Sequence, residues 1–244
     1  MKIVLSSTVT NRPQYLQRVI EGYRAVRGIE NLVYQPNLEP VSEECKKMVY
    51  AIDFMEIIPY INSRVLGPGA NTYRALSRAF ERSDFVIHSE DDHLWAPDTL
   101  EYILWAKDKY QGDKSVFDIG CWATYQHPTH DTTKTPSENF HNVIRRPHYC
   151  PAGWATWIDR WEEPNGMASH VDFPDHRGYD FEIQDIRGDR DEIYPIVSRI
   201  QNIGLIGVHA DNSSFFHQEI TNKIWAGDPK IFNTQDWKEV SWLK

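Results

Sequence analysis

Ser83-Asp84-Phe85-Val86-Ile87-His88-Ser89-Glu90-Asp91-Asp92 is an apolar run that ends in acidic residues, and Ala96-Pro97-Asp98 follows it. Its apolar centre reads as a short buried strand, and Pro97 opens a helix with Leu100, Ile103, Leu104 and Tyr110 on its apolar side. Between them stand three consecutive carboxylates. Open α/β sheets bind ligands outside the carboxyl ends of their strands, so Glu90, Asp91 and Asp92 fall where a ligand would lie. Adjacent carboxylates repel unless something positive sits among them, and a divalent cation that also bridges phosphate oxygens supplies that charge. The alternative is a solvated acidic turn ahead of a helix N-terminus, which favours anions.

Working outward, the pattern alternates. Residues 3–9 read as a strand, Thr10-Asn11-Arg12-Pro13 as a loop, and Leu16, Val19, Ile20 and Tyr23 recur at helical spacing. Residues 32–34 form a second strand candidate, and Ser42 with Cys45 gives a partial capping signal for a helix through Met48, Val49 and Ile52. Residues 56–61 are a third short strand, and Gly67-Pro68-Gly69 precedes an amphipathic helix from Asn71 to Phe80. Strand, helix, strand, helix is the opening of an α/β fold. Beyond about residue 116 the texture changes. Residues 116–124 read as a strand, 129–142 as a polar loop, 150–157 as a turn feeding a short helix, 193–206 as two strands around a turn, and the tail from 212 as irregular. The expected organisation is a single domain, 1–244, with a nucleotide-sized α/β half (1–115) and an elaborated half (116–244).

The composition narrows the function classes. The chain has 244 residues, 41% hydrophobic and 25% charged, enough to build a core. The balance of 26 Lys+Arg against 35 Asp+Glu gives −9, a field that repels polyanions. Nine Trp and twelve Tyr suit either a large core or a surface that stacks on sugars and bases. Cys45, Cys121 and Cys150 have no Cys-x-x-Cys spacing and cannot all pair, which favours a reducing compartment. The apolar run of residues 3–5 is too short for a signal peptide or membrane helix, so a soluble, cytoplasmic protein is expected.

Taken together, the run from Gly67 to Leu76, the strand into Glu90-Asp91-Asp92 and the Ala96-Pro97-Asp98 helix start resemble the sugar-nucleotide half of GT-A fold glycosyltransferases. Within them the likeness is to the Golgi N-acetylglucosaminyltransferase I family, whose acidic motif is also Glu-Asp-Asp. The resemblance implies a GT-A (Rossmann-like) mixed sheet flanked by helices, with the C-terminal half binding the acceptor. It implies an inverting hexosyl- or N-acetylhexosaminyltransferase that uses Mn2+ or Mg2+ and a nucleotide-diphosphate sugar, with a UDP-sugar preferred. By the same likeness Thr10 and Arg12 lie against the nucleotide, Asn71 near the uridine, Glu90 near the donor sugar and Asp91 near the ribose. Asp92 is the direct metal ligand. Trp154, in the stretch Arg145-Arg146-Pro147-His148-Tyr149-Cys150-Pro151-Ala152-Gly153-Trp154, borders donor and acceptor. Gly178-Tyr179-Asp180-Phe181, the segment 194–199 and Gly204-x-x-Gly207-Val208 follow the order of further family segments.

Inverting transfer needs a carboxylate to take the acceptor hydroxyl's proton and a positive centre to stabilise the departing diphosphate. Asp180 is the counterpart of that base, with Glu182 as fallback. His209 is a candidate metal ligand, with His217 a weaker one. Where the family has an Asp that reads uracil, this chain has Gln35-Pro36-Asn37, with Glu39 beyond, so the base stays open. Without the family's Golgi anchor and stem, a soluble bacterial or viral-type relative is implied. Its acceptor, drawn from loops at 125–149 and from 212 onward, is a glycan, a small metabolite, a protein or a modified viral DNA base. Two other classes compete: a metal-dependent hydrolase using His170-Val171-Asp172 and Asp175-His176, and a non-catalytic sugar-binding module built on Trp95, Trp105, Trp122, Trp154, Trp157 and Trp161.

Overall fold

Six-residue β1 (Val4–Val9) and β5 (Phe85–Glu90) lie side by side in parallel, with Val4 opposite Val86 and Thr8 opposite Glu90. The computed structural model describes residues 2–123, 140–170, 178–204 and 237–240. On the other side of β1 runs β2 (Val33–Leu38), also parallel, placing Asn37 level with Thr8. The expected strand at 56–61 is two short pieces, β3 (Glu56–Ile57) and β4 (Tyr60–Ile61), which pair with successive parts of β2. After β6 (His93–Trp95) come β7 (Val116–Gly120), β8 (Asn142–Arg146), β9 (Trp154–Trp157), β10 (Asp191–Pro195), β11 (Ile200–Asn202) and β12 (Lys238–Glu239).

The ten-stranded sheet runs β12-β8-β10-β7-β9-β5-β1-β2-β3, with β4 on β2. It is mixed: β9 is antiparallel to both β5 and β7, while β10 is parallel to β7. One sequence expectation changes here. Residues 154–157 are a strand, not a turn, because Trp154, Ala155, Thr156 and Trp157 are wedged between β5 and β7 and buried on both faces. The two strands expected beyond residue 193 are present as β10 and β11, but they do not pair with each other: β10 joins the main sheet, whereas β11 pairs with β6 in a separate ribbon.

Helices cover both faces. The helix α1 (Pro13–Arg24) sends Val19 and Tyr23, and α4 (Thr99–Tyr110) sends Leu100 and Ile103, into one core cluster with Leu5 and Ile87. On the opposite face α3 (Pro68–Phe80) contributes Leu76, Ala79 and Phe80 to a second cluster. That cluster also receives Tyr179 and Ile183 of α6 (Tyr179–Arg187), a helix preceded in the chain by the short α5 (Ile158–Trp161). The helix α2 (Glu43–Tyr50) starts as the sequence suggests, the Ser42 hydroxyl accepting the Cys45 N–H at 3.1 Å. Trp95, Trp122, Trp154, Trp157 and Trp161 are all buried, so they build core and not a stacking surface. No helix among the described residues is long and apolar enough to cross a membrane.

One polar cluster lies inside this core. Glu192 on β10 faces Asp118 on β7, and Arg146 on β8 pairs with Glu192, whose other oxygen accepts the Cys150 N–H at 3.0 Å. Burial raises the Asp118 carboxyl well above its ordinary value and Glu192 adds to the shift; burial raises Glu192 too, but Arg146 offsets part of that. A carboxyl raised in the folded state stabilises below its unfolded pKa, and that contribution is lost as pH rises toward the folded value. Asp118→Asn is therefore expected to gain stability relative to wild type as pH goes from 4.5 to 8. Urea unfolding at the two pH values reads this, and a pH-independent difference would contradict it.

Candidate functional site

The order of the strands creates the site. From β1 the chain moves outward through β2, β3 and β4, then returns to the other side of β1 at β5, so β1 and β5 flank a topological switch point. Ligands of open α/β sheets lie in the crevice at the carboxyl end of such a point. Thr10, Arg12, Asn37, Glu39 and the carboxylates that end β5 emerge together at this edge because their strands are in level register.

Arg12 caps α1: its carbonyl accepts the N–H groups of Tyr15 and Leu16 at 3.1 and 3.0 Å. A cation is disfavoured at a helix N-terminus, and two carboxylates offset this one. The Arg12 Nη1 donates to Asp92 Oδ2 at 2.6 Å, and Nη2 donates to Asp91 Oδ1. Burial pulls the guanidinium pKa down, but Asp91 and Asp92 more than restore it. Asp91 is further tied by the backbone N–H and hydroxyl of Thr10, at 2.9 and 3.1 Å, and is 1% exposed. Both Asp91 oxygens are thus spent on holding the β1–α1 loop. Burial raises its carboxyl pKa, and Arg12 offsets part of that.

Glu90 and Asp92 differ from Asp91. The Tyr179 hydroxyl donates to Glu90 Oε1 at 2.6 Å. Burial, reinforced by Asp92, pushes Glu90 up to about 7. Asp92 has one oxygen on Arg12, while Oδ1 is buried without a hydrogen-bond partner among the described residues. Such an orphaned oxygen beside a second carboxylate fits a hard divalent cation. Beside them lies His93, which the sequence reading did not single out. Glu90, Asp92 and His93 each bring a potential ligand atom within 4.8 Å of the others. The signal for it was present in the sequence only as adjacency to the acidic run.

The remaining predicted residues divide. Asn71 reaches the same edge, but its side chain belongs to a buried amide cluster, its Oδ1 accepting from Asn37 and from Asn62 at 2.8 Å. Glu39 completes that cluster and accepts the N–H of Leu66 and Gly67 at 3.0 and 3.1 Å, so it shapes the loop ahead of α3. Trp154 lies opposite His88, two residues before Glu90. It is 0% exposed, with its ring 5.2 Å from that of Tyr149 in the core, because β9 is an interior strand. His209 and His217 lie outside the described residues, as do residues 124–139, 171–177 and 205–236.

Asp180 sits in the first turn of α6, between Tyr179, bonded to Glu90, and Phe181, which is 53% exposed. Gly178 begins this turn at φ +87, with Asp180 Oδ1 2.5 Å from where a Cβ would stand. Glu182, the alternative base, faces instead His170 at 3.8 Å.

Gly204 closes the site from the C-terminal side. The Ile203 N–H donates to the Asp92 carbonyl at 2.9 Å. A Cβ on Gly204 would stand 2.1 Å from Asp92 Oδ2 and 3.2 Å from Arg12 Nη1. Gly204→Ala is expected to cost about 1–3 kcal/mol, measured by denaturant unfolding. A wild-type value would show that the segment yields freely.

This fold has counterparts among solved structures. A mannosyltransferase from Pyrobaculum calidifontis, in complex with GDP-Man and Mn2+, superposes with a TM-score of 0.53 at 12% identity, covering 81% of this chain and 57% of that one. S. aureus TarS 1–349 with UDP-GlcNAc gives a TM-score of 0.55 at 10% identity, covering 82% and 57%. The fold is GT-A. The chain spans under three-fifths of the length of these two neighbours. No protein-family model and no curated protein sequence matches it.

Proposed function

We infer that this chain is a metal-dependent, inverting glycosyltransferase that moves a sugar from a nucleotide-diphosphate sugar to an acceptor hydroxyl. One observation carries the reading. At the switch point of a GT-A sheet, Asp92 Oδ1 is buried beside Glu90 with no hydrogen-bond partner among the described residues, while Arg12 gathers Asp91 and Asp92. Nucleotide sugars in the neighbouring structures, GDP-Man and UDP-GlcNAc, support the donor class. The Glu-Asp-Asp motif supports the likeness to the N-acetylglucosaminyltransferase I family and a UDP-linked hexose or N-acetylhexosamine.

The residues divide the work. Asp92 would hold a Mn2+ or Mg2+ ion through Oδ1, with Glu90 beside it. Such an ion supplies positive charge to the departing diphosphate. Arg12 keeps the carboxylates gathered and the β1–α1 loop in place. Asp180 takes the proton of the acceptor hydroxyl as its oxygen bonds to the anomeric carbon. The bond from that carbon to the diphosphate breaks on the opposite face, which inverts the centre. Tyr179 ties the turn that carries Asp180 to Glu90 through its hydroxyl.

A glycan acceptor fits better than a modified base in DNA. Phe181 offers an exposed ring one residue from Asp180, and the chain's charge of −9, with Glu182 and Asp185 on the same helix, opposes a polyanion. The reaction itself is the test. UDP-glucose, UDP-galactose, UDP-GlcNAc and GDP-mannose are each incubated with Mn2+ and a mixture of neutral oligosaccharides. Release of nucleoside diphosphate that stops on chelation is expected from at least one donor. No release from any of them would overturn the assignment.

A further inference from the structure

We propose that His93 is a positioning residue: its Nε2–H holds Asp92 Oδ1 in place for a divalent cation, and its ring stays out of the coordination sphere. The inference rests on the metal-dependent reading above and concerns how that site is built. Counting donors alone would make the imidazole a third ligand, since His93, Glu90 and Asp92 converge within 4.8 Å.

The hydrogen bonding of the ring decides otherwise. His93 Nδ1 lies 3.1 Å from the backbone N–H of Glu90, which has only a proton to offer. Nδ1 must therefore present its lone pair, and the ring's own proton sits on Nε2. A protonated nitrogen has no lone pair for a metal. Shifting that proton to Nδ1 would set two N–H groups head to head in a buried place.

What Nε2 faces is Asp92 Oδ1, at 3.8 Å. This is ion-pair range, longer than a hydrogen bond, and Oδ1 has no hydrogen-bond partner among the described residues. A small approach of the two satisfies an otherwise orphaned oxygen. That oxygen has two lone pairs, so it can accept Nε2–H on one and meet a cation on the other. The other Asp92 oxygen is already fixed by Arg12 at 2.6 Å. Fixing both oxygens sets the carboxylate plane, as outer hydrogen bonds do around metal-binding carboxylates generally. The ring cannot swing away: His93 is 2% exposed and is paired with Asn202 in the β6–β11 ribbon.

Mn2+ titration in the presence of UDP or GDP, read by electron paramagnetic resonance, tests this without turnover. His93→Leu is expected to weaken Mn2+ binding by about 10–100-fold. His93→Gln, whose amide N–H can reach the same oxygen, should stay close to wild type. The electron spin echo of bound Mn2+ should show the same nitrogen modulation in wild type and His93→Gln. Modulation lost in His93→Gln would make His93 a ligand and overturn the inference. So would unchanged Mn2+ affinity in His93→Leu. If His93→Leu does not fold, the affinity and spectrum of His93→Gln decide alone. A wild-type protein that binds no Mn2+ with either nucleotide fails differently, removing the metal reading on which the inference stands.

Discussion

Asp180→Asn is expected to lower the rate of sugar transfer by about 10²–10⁴-fold, the usual worth of a positioned general base, while leaving donor binding intact. Amide and carboxylate have nearly the same shape, so the turn that begins at Gly178 and the Tyr179–Glu90 hydrogen bond should survive. What disappears is the acceptor for the hydroxyl proton. Transfer rates at saturating donor, with Mn2+-dependent donor affinity measured alongside, separate the two. Retained turnover would remove Asp180 from its role. Glu182 is a poor substitute because it faces His170, so Glu182→Gln should lose far less.

The largest expected effect on stability lies away from the site. Arg199 and Asp98 form an ion pair of 3.0 Å in which both side chains are 0% exposed. Arg199 also donates to the Val197 and Phe140 carbonyls, and its own carbonyl accepts the Thr99 hydroxyl at 2.7 Å and the Ala96 N–H at 2.9 Å. This pair ties the start of α4 to the segment leading into β11. Through β11 it supports the ribbon that carries His93. Arg199→Met strands the Asp98 charge in the interior, and removing one member of a buried pair costs about 3–5 kcal/mol. For a chain of this size that is a fall of roughly 6–20 °C in Tm. A double variant, Arg199→Met with Asp98→Leu, should recover much of the loss, because no charge then remains buried. A single variant as stable as wild type would contradict the account of the pair.

How much of this could be read in the sequence differs by region. The N-terminal half was legible because its signals are local: the apolar run into Glu90-Asp91-Asp92 and the Ser42 cap appear where their residue types suggest, while α3 begins at Pro68, three residues ahead of the expected start at Asn71, because Pro suits a helix's first turn. The second half was less so, because its strands are set by distant partners. Residues 154–157 become a strand only because β5 and β7 stand on either side, and that same placement buries Trp154. Arg199 stood in a segment resembling a family motif, and its order in the chain is what the likeness reported. Its task is packing, which order alone does not reveal.

At the site, residue types were easier to find than their partners. Asp91 and Asp92 are neighbours with equal chemistry, yet Thr10 and Arg12 consume one and leave an oxygen of the other orphaned. That difference comes from the β1–α1 loop folding across the end of β5. No spacing rule contains it. His93 was hidden for a related reason, since its tautomer is fixed by a backbone N–H three residues earlier.

A nucleotide-diphosphate sugar and a divalent cation are expected to bind together in this crevice. Binding to the native state raises Tm by mass action, by an amount set by ligand concentration over Kd. The most direct measurement is therefore thermal unfolding with UDP-GlcNAc, UDP-glucose, UDP-galactose or GDP-mannose, each with Mn2+, with Mg2+ and with chelator. A rise in Tm for at least one donor, present with the cation and absent with chelator, is the predicted result. Asp92→Asn should diminish that rise. A Tm that no donor moves, with or without cation, would contradict the account.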